Sequence, residues 1–112
     1  MNPQNKSKTK GLRKIDFNGV NLAALYRLPD LVVDWLPQGR REGHEWVALN
    51  PHRNDHRLGS FKINLNTGRW ADFASGDRGG DPVSLYAYLF QVRQGEAAKR
   101  LAQHLGVSHA EF

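Results

Sequence analysis

Between positions 40 and 78 the chain carries Arg40, Arg41, Arg53, Arg57, Lys62, Arg69 and Arg78, interleaved with Trp46, Phe61, Trp70 and Phe73. Guanidinium and ammonium groups neutralise phosphates and aromatic faces stack on bases, so this mixture suits single-stranded nucleic acid. Arg53, Arg57, Lys62, Arg69, Trp70 and Arg78 are the residues expected to touch it. Glu42, Glu45, Asp55, Asp72 and Asp77 offset much of the charge, and aromatics in a small sheet also serve as core residues. The alternative reading is therefore a protein–protein interaction module that docks through its sheet or its last helix.

Other chemistries fit less well. The absence of cysteine excludes disulfides, a thiol nucleophile and thiolate zinc sites. His44, His52 and His56 are close in sequence, and the last two have the i, i+4 spacing of a helical metal pair. That pair works only on a helix, and NPHRNDHRLG is too rich in breakers and charge to form one, so these read as surface histidines. Ser60, Ser75 and Ser84 have no partner pattern for nucleophilic catalysis. The SGDRGGD segment lacks the lysine and hydroxyl of a nucleotide-hydrolysing loop. Its amides at a helix start could hold a phosphate, but Asp81 as N-cap would compete for the same donors. No catalytic constellation, cofactor or metal site is expected.

The elements that must position the cationic segment are legible from pattern. With 112 residues, 39% hydrophobic, one domain with a stable core is feasible. Residues 1–15 hold Lys6, Lys8, Lys10, Arg13 and Lys14 and no acid, so the whole net charge of +5 belongs to them. The remainder has 16 − 5 = 11 basic and 11 acidic residues. Residues 1–15 are expected to be a disordered basic arm, either merely solvated or touching phosphates, and residues 16–112 a single domain. No segment resembles a signal peptide or a membrane span, and a cytoplasmic protein is expected.

Residues 21–28 predict a short helix with Leu22, Leu25 and Tyr26 on one side, interrupted at Pro29. A second helix over 30–36 would turn Leu31, Val32 and Trp35 inward. Residues 38–44 read as a turn, 45–49 as a strand and 50–59 as a loop. Phe61, Ile63 and Leu65 alternate with Lys62 and Asn64, and Asn66-Thr67-Gly68 is suited to a tight reversal, so 61–73 is a β-hairpin. On its return strand either Trp70 or the Arg69 and Phe73 set faces outward. After the glycine-rich 75–80 loop, Asp81 and Pro82 should start a buried helix. A last helix over 95–105 would face inward with Ala98, Leu101, Ala102 and Leu105, and stop at Gly106.

This order of segments contains Asn50-Pro51-His52-Arg53, then Gly59-Ser60-Phe61-Lys62-Ile63-Asn64, then Gly79-Gly80-Asp81, then Gly95-Glu96-Ala97-Ala98 with Leu101-Ala102. Over residues 31–106 it resembles the zinc-binding domain of bacterial DNA primases. The resemblance implies a zinc ribbon with flanking helices that helps select single-stranded template DNA. In that family the first ligand pair is a cysteine and a histidine three residues apart, and the second is two cysteines three apart. The matching positions here are Asn50 and Arg53, then Phe73 and Gly76, so all the ligands are replaced. Structural zinc can contribute on the order of 10 kcal/mol to folding, so something must substitute for it. The candidates are burial of Phe73 and Trp70, and polar bonds from Asn50 and Arg53 tying the loop to the hairpin. The family's polymerising site lies in a separate domain and has no counterpart here.

The expected fold is therefore α+β, a small antiparallel three-stranded zinc-ribbon-like sheet with flanking helices, metal-free. The expected role is that of a non-catalytic accessory module binding single-stranded DNA in replication in a bacterium, phage or mobile element. Its partners would be that DNA and a replicative helicase or a primase/polymerase, with no membrane involved.

Overall fold

The structure, a computed structural model, describes residues 14–54 and 56–110. Most of the expected basic arm, residues 1–13, lies outside the described residues. Lys14 is exposed, and Ile15 already belongs to the folded body, bridging Ala110. The fold is α+β, with helix α1 (Phe17–Trp35), five strands and helices α2 (Pro82–Phe90) and α3 (Gln94–Leu105). The strands β1 (Arg40–Glu42), β2 (Glu45–Ala48), β3 (Phe61–Asn64), β4 (Trp70–Asp72) and β5 (Arg78–Gly79) form one antiparallel sheet in sequence order.

The expected three-stranded sheet is thus a five-stranded one, extended by a short strand at each edge. β1 consists of Arg-Arg-Glu and is exposed throughout, so it has no apolar alternation by which pattern could find it. It pairs because Gly43, at φ 62°, allows a two-residue reversal into β2. β5 is only Arg78–Gly79, taken from within the glycine-rich loop. Short, charged edges of this type also discourage pairing with another chain.

The central hairpin forms as its pattern requires. Phe61 and Ile63 are fully buried and Leu65 nearly so, while Lys62 and Asn64 are half-buried on the other face. The Asn64 side chain accepts from the amides of Asn66 and Thr67, and Gly68 turns at φ 80°. A side chain at Gly68 would also strike the Pro82 ring, so this turn is pressed against the start of α2.

The helices pack on the apolar face of the sheet and on one another. α1 is continuous, and this differs from the expected break at Pro29. Pro29 removes one backbone hydrogen bond, at a cost of about 3 kcal/mol. Leu28, Leu31 and Val32 are almost fully buried on either side of it, and burying each such side chain contributes roughly 1.5–3 kcal/mol, which outweighs that cost. The inward face also differs: it is Val20, Ala24 and Leu28, and of the expected residues only Leu25 packs partly against the core, whereas Leu22 is 69% and Tyr26 88% exposed. Leu31 and Val32 face inward as expected, with Trp35 half-buried.

α2 begins at the expected cap. Asp81 accepts from the Ser84 amide at 2.8 Å, and the Ser84 hydroxyl closes the capping box. The Val83 amide is taken by the Asn21 side chain at 2.9 Å. These donors are already satisfied, so the phosphate-binding alternative for this helix start is not supported. α3 buries Ala97, Ala98, Leu101 and Ala102, leaves Leu105 half-buried, and ends at Gly106 with φ 73°.

Pro29 is exposed. Pro29→Ala restores the missing backbone donor without disturbing a core residue, and is expected to stabilise the protein by about 1–3 kcal/mol. Urea denaturation would show this as a higher midpoint at unchanged slope.

Candidate nucleic-acid interface

The return strand β4 carries Trp70 and Asp72 on the same face, two residues apart, and both are buried. Trp70 is at home there: it packs against Tyr88 with centroids 4.6 Å apart and against Phe61 at 6.2 Å, and its indole N–H donates to the Ser84 hydroxyl at 3.0 Å. Asp72 has no exposed surface and needs donors for both carboxylate oxygens.

It receives them from two loops. Oδ2 accepts from the Asn50 side-chain amide at 2.7 Å and from Arg53 Nε at 2.7 Å. Oδ1 accepts from the backbone amides of Ala74 at 2.9 Å and Ser75 at 3.4 Å. Asn50 in turn donates to the Tyr88 hydroxyl, which donates to Asp77, and Arg53 also reaches the Ser60 hydroxyl at 2.9 Å. The two turns are themselves closed by backbone bonds, Arg53 to Asn50 and Gly76 to Asp72, with Gly76 at φ 87°. The carboxylate of Asp72 therefore joins the turn after β2, the turn after β4 and, through Tyr88, helix α2.

Burial is the largest influence on this carboxyl and pushes its pKa up. The bonds from Asn50, the Ala74 amide and Arg53, with the Arg53 charge, outweigh it and hold the group well below the usual carboxylate range. Burial and the Asp77 acceptor raise the Tyr88 hydroxyl, which keeps it a proton donor.

Of the proposed stabilising features, the polar bonds from Asn50 and Arg53 are present and Trp70 is buried. Phe73 is not: it is 72% exposed. Its backbone amide pairs with Ser60 at 2.8 Å, which continues the β3–β4 ladder and turns its ring to the solvent face. Once Trp70 and Asp72 are inward, Arg69 and Phe73 must be outward. The open choice on the return strand is resolved in that direction, and Trp70 is not available for stacking on a ligand.

The solvent face of the sheet has an ordered charge pattern. Direct pairing sets Arg40, Val47, Lys62, Ala71 and Arg78 in one row across all five strands. Lys62, Arg69 and Arg78, with the small Ala71 between them and Phe73 beside them, line a depression of about 280 Å³. Lys62 and Arg78 are two strands apart, hence about 10 Å at their backbones. Among the described residues neither Arg69 nor Arg78 forms an ion pair, while Lys62 Nζ lies 4.0 Å from the Glu45 carboxylate.

Of the six expected binding residues, Lys62, Arg69 and Arg78 are therefore brought together. Trp70 borders the depression but is buried. Arg53 is engaged with Asp72 and Ser60, and Arg57 is exposed on the β2–β3 loop and does not line the depression. Trp46 and Phe61 face the core, Trp46 donating its indole N–H to the Leu36 carbonyl. Sequence reasoning missed Asp72 as the hub. The signal was there: period two puts Asp72 on the same side as Trp70, and an inward carboxylate implies donors.

The histidines do not converge. His52 stacks edge-on against Tyr88 and donates to its carbonyl at 2.6 Å, while His44 and His56 are exposed. Among the described residues no group of three histidines, cysteines or acids is placed to hold a metal ion. No helix among them is long and apolar enough to cross a membrane. No protein-family model matches the chain, and no curated protein matches it.

Asp72→Ala should cost about 3–5 kcal/mol, because it strands Arg53 and Asn50 in a partly buried site. Asn50→Ala should cost about 1–3 kcal/mol, and Phe73→Ala less than about 0.5 kcal/mol. The folded pKa of Asp72 lies below its unfolded value, so the unfolded chain binds the proton more readily. Its stabilising contribution is complete above about pH 5 and diminishes as pH falls through the acid range. Urea midpoints measured from pH 7 to pH 3 should fall for the wild type and fall less steeply for Asp72→Ala.

Proposed function

We propose that this chain is a non-catalytic nucleic-acid-binding module that holds single-stranded DNA on the solvent face of its sheet. It would act beside a helicase or a primase/polymerase in the cytoplasmic DNA replication of a bacterium, phage or mobile element. The observation that carries the reading is the grouping of Lys62, Arg69 and Arg78 around one depression with an exposed Phe73 at its side. Grouped cations neutralise phosphates along a strand, and an exposed ring beside them gives an unstacked base a surface to lie on.

The reading includes descent from the zinc-binding domain of bacterial primases, with the zinc-ribbon character kept and the metal replaced. What supports this is where the Asp72 clasp sits. The resemblance puts ligand positions at Asn50 and Arg53 in one turn and at Phe73 and Gly76 in the other. Asn50 and Arg53 hold Asp72, immediately before the second turn, so one carboxylate ties together the two turns that a metal would otherwise join.

A second reading, docking on a partner protein, draws on a different surface. Leu22, Tyr26, Pro29 and Val33 recur at i, i+4, i+7 and i+11 on α1 and are exposed. This stripe, rather than the sheet or the last helix, is the apolar surface that such a partner would cover.

Fluorescence anisotropy with single-stranded DNA across salt tests the first reading. Arg69→Glu and Arg78→Glu should each weaken binding by about three- to tenfold and flatten the salt slope by about 0.7 for each phosphate no longer neutralised. Phe73→Ala should weaken binding by about 1–3 kcal/mol while leaving the fold intact. Unchanged affinity in all of these variants would remove the sheet face as the site.

A further inference from the structure

The solvent face is not uniformly cationic, and the way its cations are engaged changes strand by strand. On β1, Arg40 Nε is bonded to the Glu42 carboxylate at 2.6 Å. On β3, Lys62 stands 4.0 Å from the Glu45 carboxylate, with 34% and 41% of the two side chains exposed. Toward β4 and β5, Arg69 and Arg78 make no ion pair among the described residues. The pairing register explains the sequence of states. Glu42 pairs with Glu45, and Glu45 with Asn64, so both acids lie in one row at the β1–β2 end of the face. Glu45 is also the only acid among the described residues that line the depression.

We infer that Glu45 is a built-in competitor for phosphate, which sets the affinity of this face and confines the bound strand to its β3–β5 half. The inference rests on the nucleic-acid reading above and names what regulates that site. A carboxylate beside Lys62 occupies the ground a phosphate oxygen would take. A bound strand must either displace that carboxylate or leave Lys62 unused, and in both cases the Glu45 charge repels a backbone approaching from β2. Arg69 and Arg78 then neutralise most of the phosphate charge, and Lys62 contributes only part. Glu45, with Glu42 paired beside it, sets the limit of the track, so the site covers a short stretch of strand with Phe73 at its side. Such a face trades affinity for a defined position.

Glu45→Gln removes the charge and keeps the size at a partly exposed position, so the fold should be unaffected. The test is anisotropy of a short fluorescent oligothymidylate across salt, with the full chain and the variants Glu45→Gln, Glu96→Gln and Lys62→Glu. Glu96→Gln makes the same change in net charge on α3, away from the sheet. Glu45→Gln should bind about two- to fivefold tighter than wild type. Its salt slope should be steeper by about 0.7, because Lys62 is released to pair with one more phosphate. Glu96→Gln should change neither quantity by as much. Equal gains in the two glutamine variants, or no gain in Glu45→Gln while Lys62→Glu still weakens binding, would overturn the role of Glu45 and leave the binding face standing. No response to either Glu45→Gln or Lys62→Glu would also overturn the role of Glu45, and only unchanged affinity in Arg69→Glu and Arg78→Glu as well would overturn the binding face.

Discussion

A carboxylate with no exposed surface, Asp72, stands at the end of β4 where the chain is about to turn. An ionised group in such a place is tolerated only when its lone pairs are filled, because desolvation otherwise costs several kcal/mol. Here two side chains from one turn and two backbone amides from the next fill them. The consequence is structural: the β2–β3 loop cannot move independently of the β4–β5 turn, and Tyr88 extends the tie to α2. Without the carboxylate the two loops lose their most direct tie; without one of the donors the carboxylate has less to keep it ionised.

The same residue fixes the orientation of β4. With Asp72 directed inward, Trp70 lies inward beside it, stacked on Tyr88 and bonded to Ser84. Gly79 on the neighbouring strand has no side chain because one would run into the Trp70 indole and the Ser84 hydroxyl. Arg69 and Phe73 are then left to the solvent face. A buried polar clasp and an exposed cationic depression are in this sense two sides of one strand. The first accounts for stability at neutral pH, and the second offers a surface to phosphates and bases.

The solvent face shows how a nearly neutral body can still present a local cationic site. Acids and bases balance over residues 16–112, but on this face Glu42 and Glu45 lie at the β1–β2 end, where Glu42 holds Arg40, while Arg69 and Arg78 at the other end form no ion pair among the described residues. At physiological ionic strength charges are screened over about 8 Å, so a separation of two or more strand spacings, about 10 Å, is enough to matter. Net charge alone says little about such a face.

The central hairpin, the capped start of α2, the stripe and stop of α3 and the α+β class were all legible in the sequence. Each follows from local chemistry: period-two alternation, an Asn-Thr-Gly reversal, an Asp-Pro cap, a glycine stop. The inward face of α1 and its continuity through Pro29 were not legible, because burial of Leu28, Leu31 and Val32 overrides a local preference. The edge strands were not legible either, since β1 carries no apolar residue and β5 only two residues in all. For the candidate site, the sequence determined the inventory of cations and aromatics and offered Asn50 and Arg53 as ties. Only the tertiary structure decided that Asp72 is what they bind, that Trp70 is hidden and Phe73 shown, and that Arg53 and Arg57 stand apart from Lys62, Arg69 and Arg78. The reason is physical: alternation along a strand fixes which residues share a face, but which face meets the core is decided by what lies across the sheet.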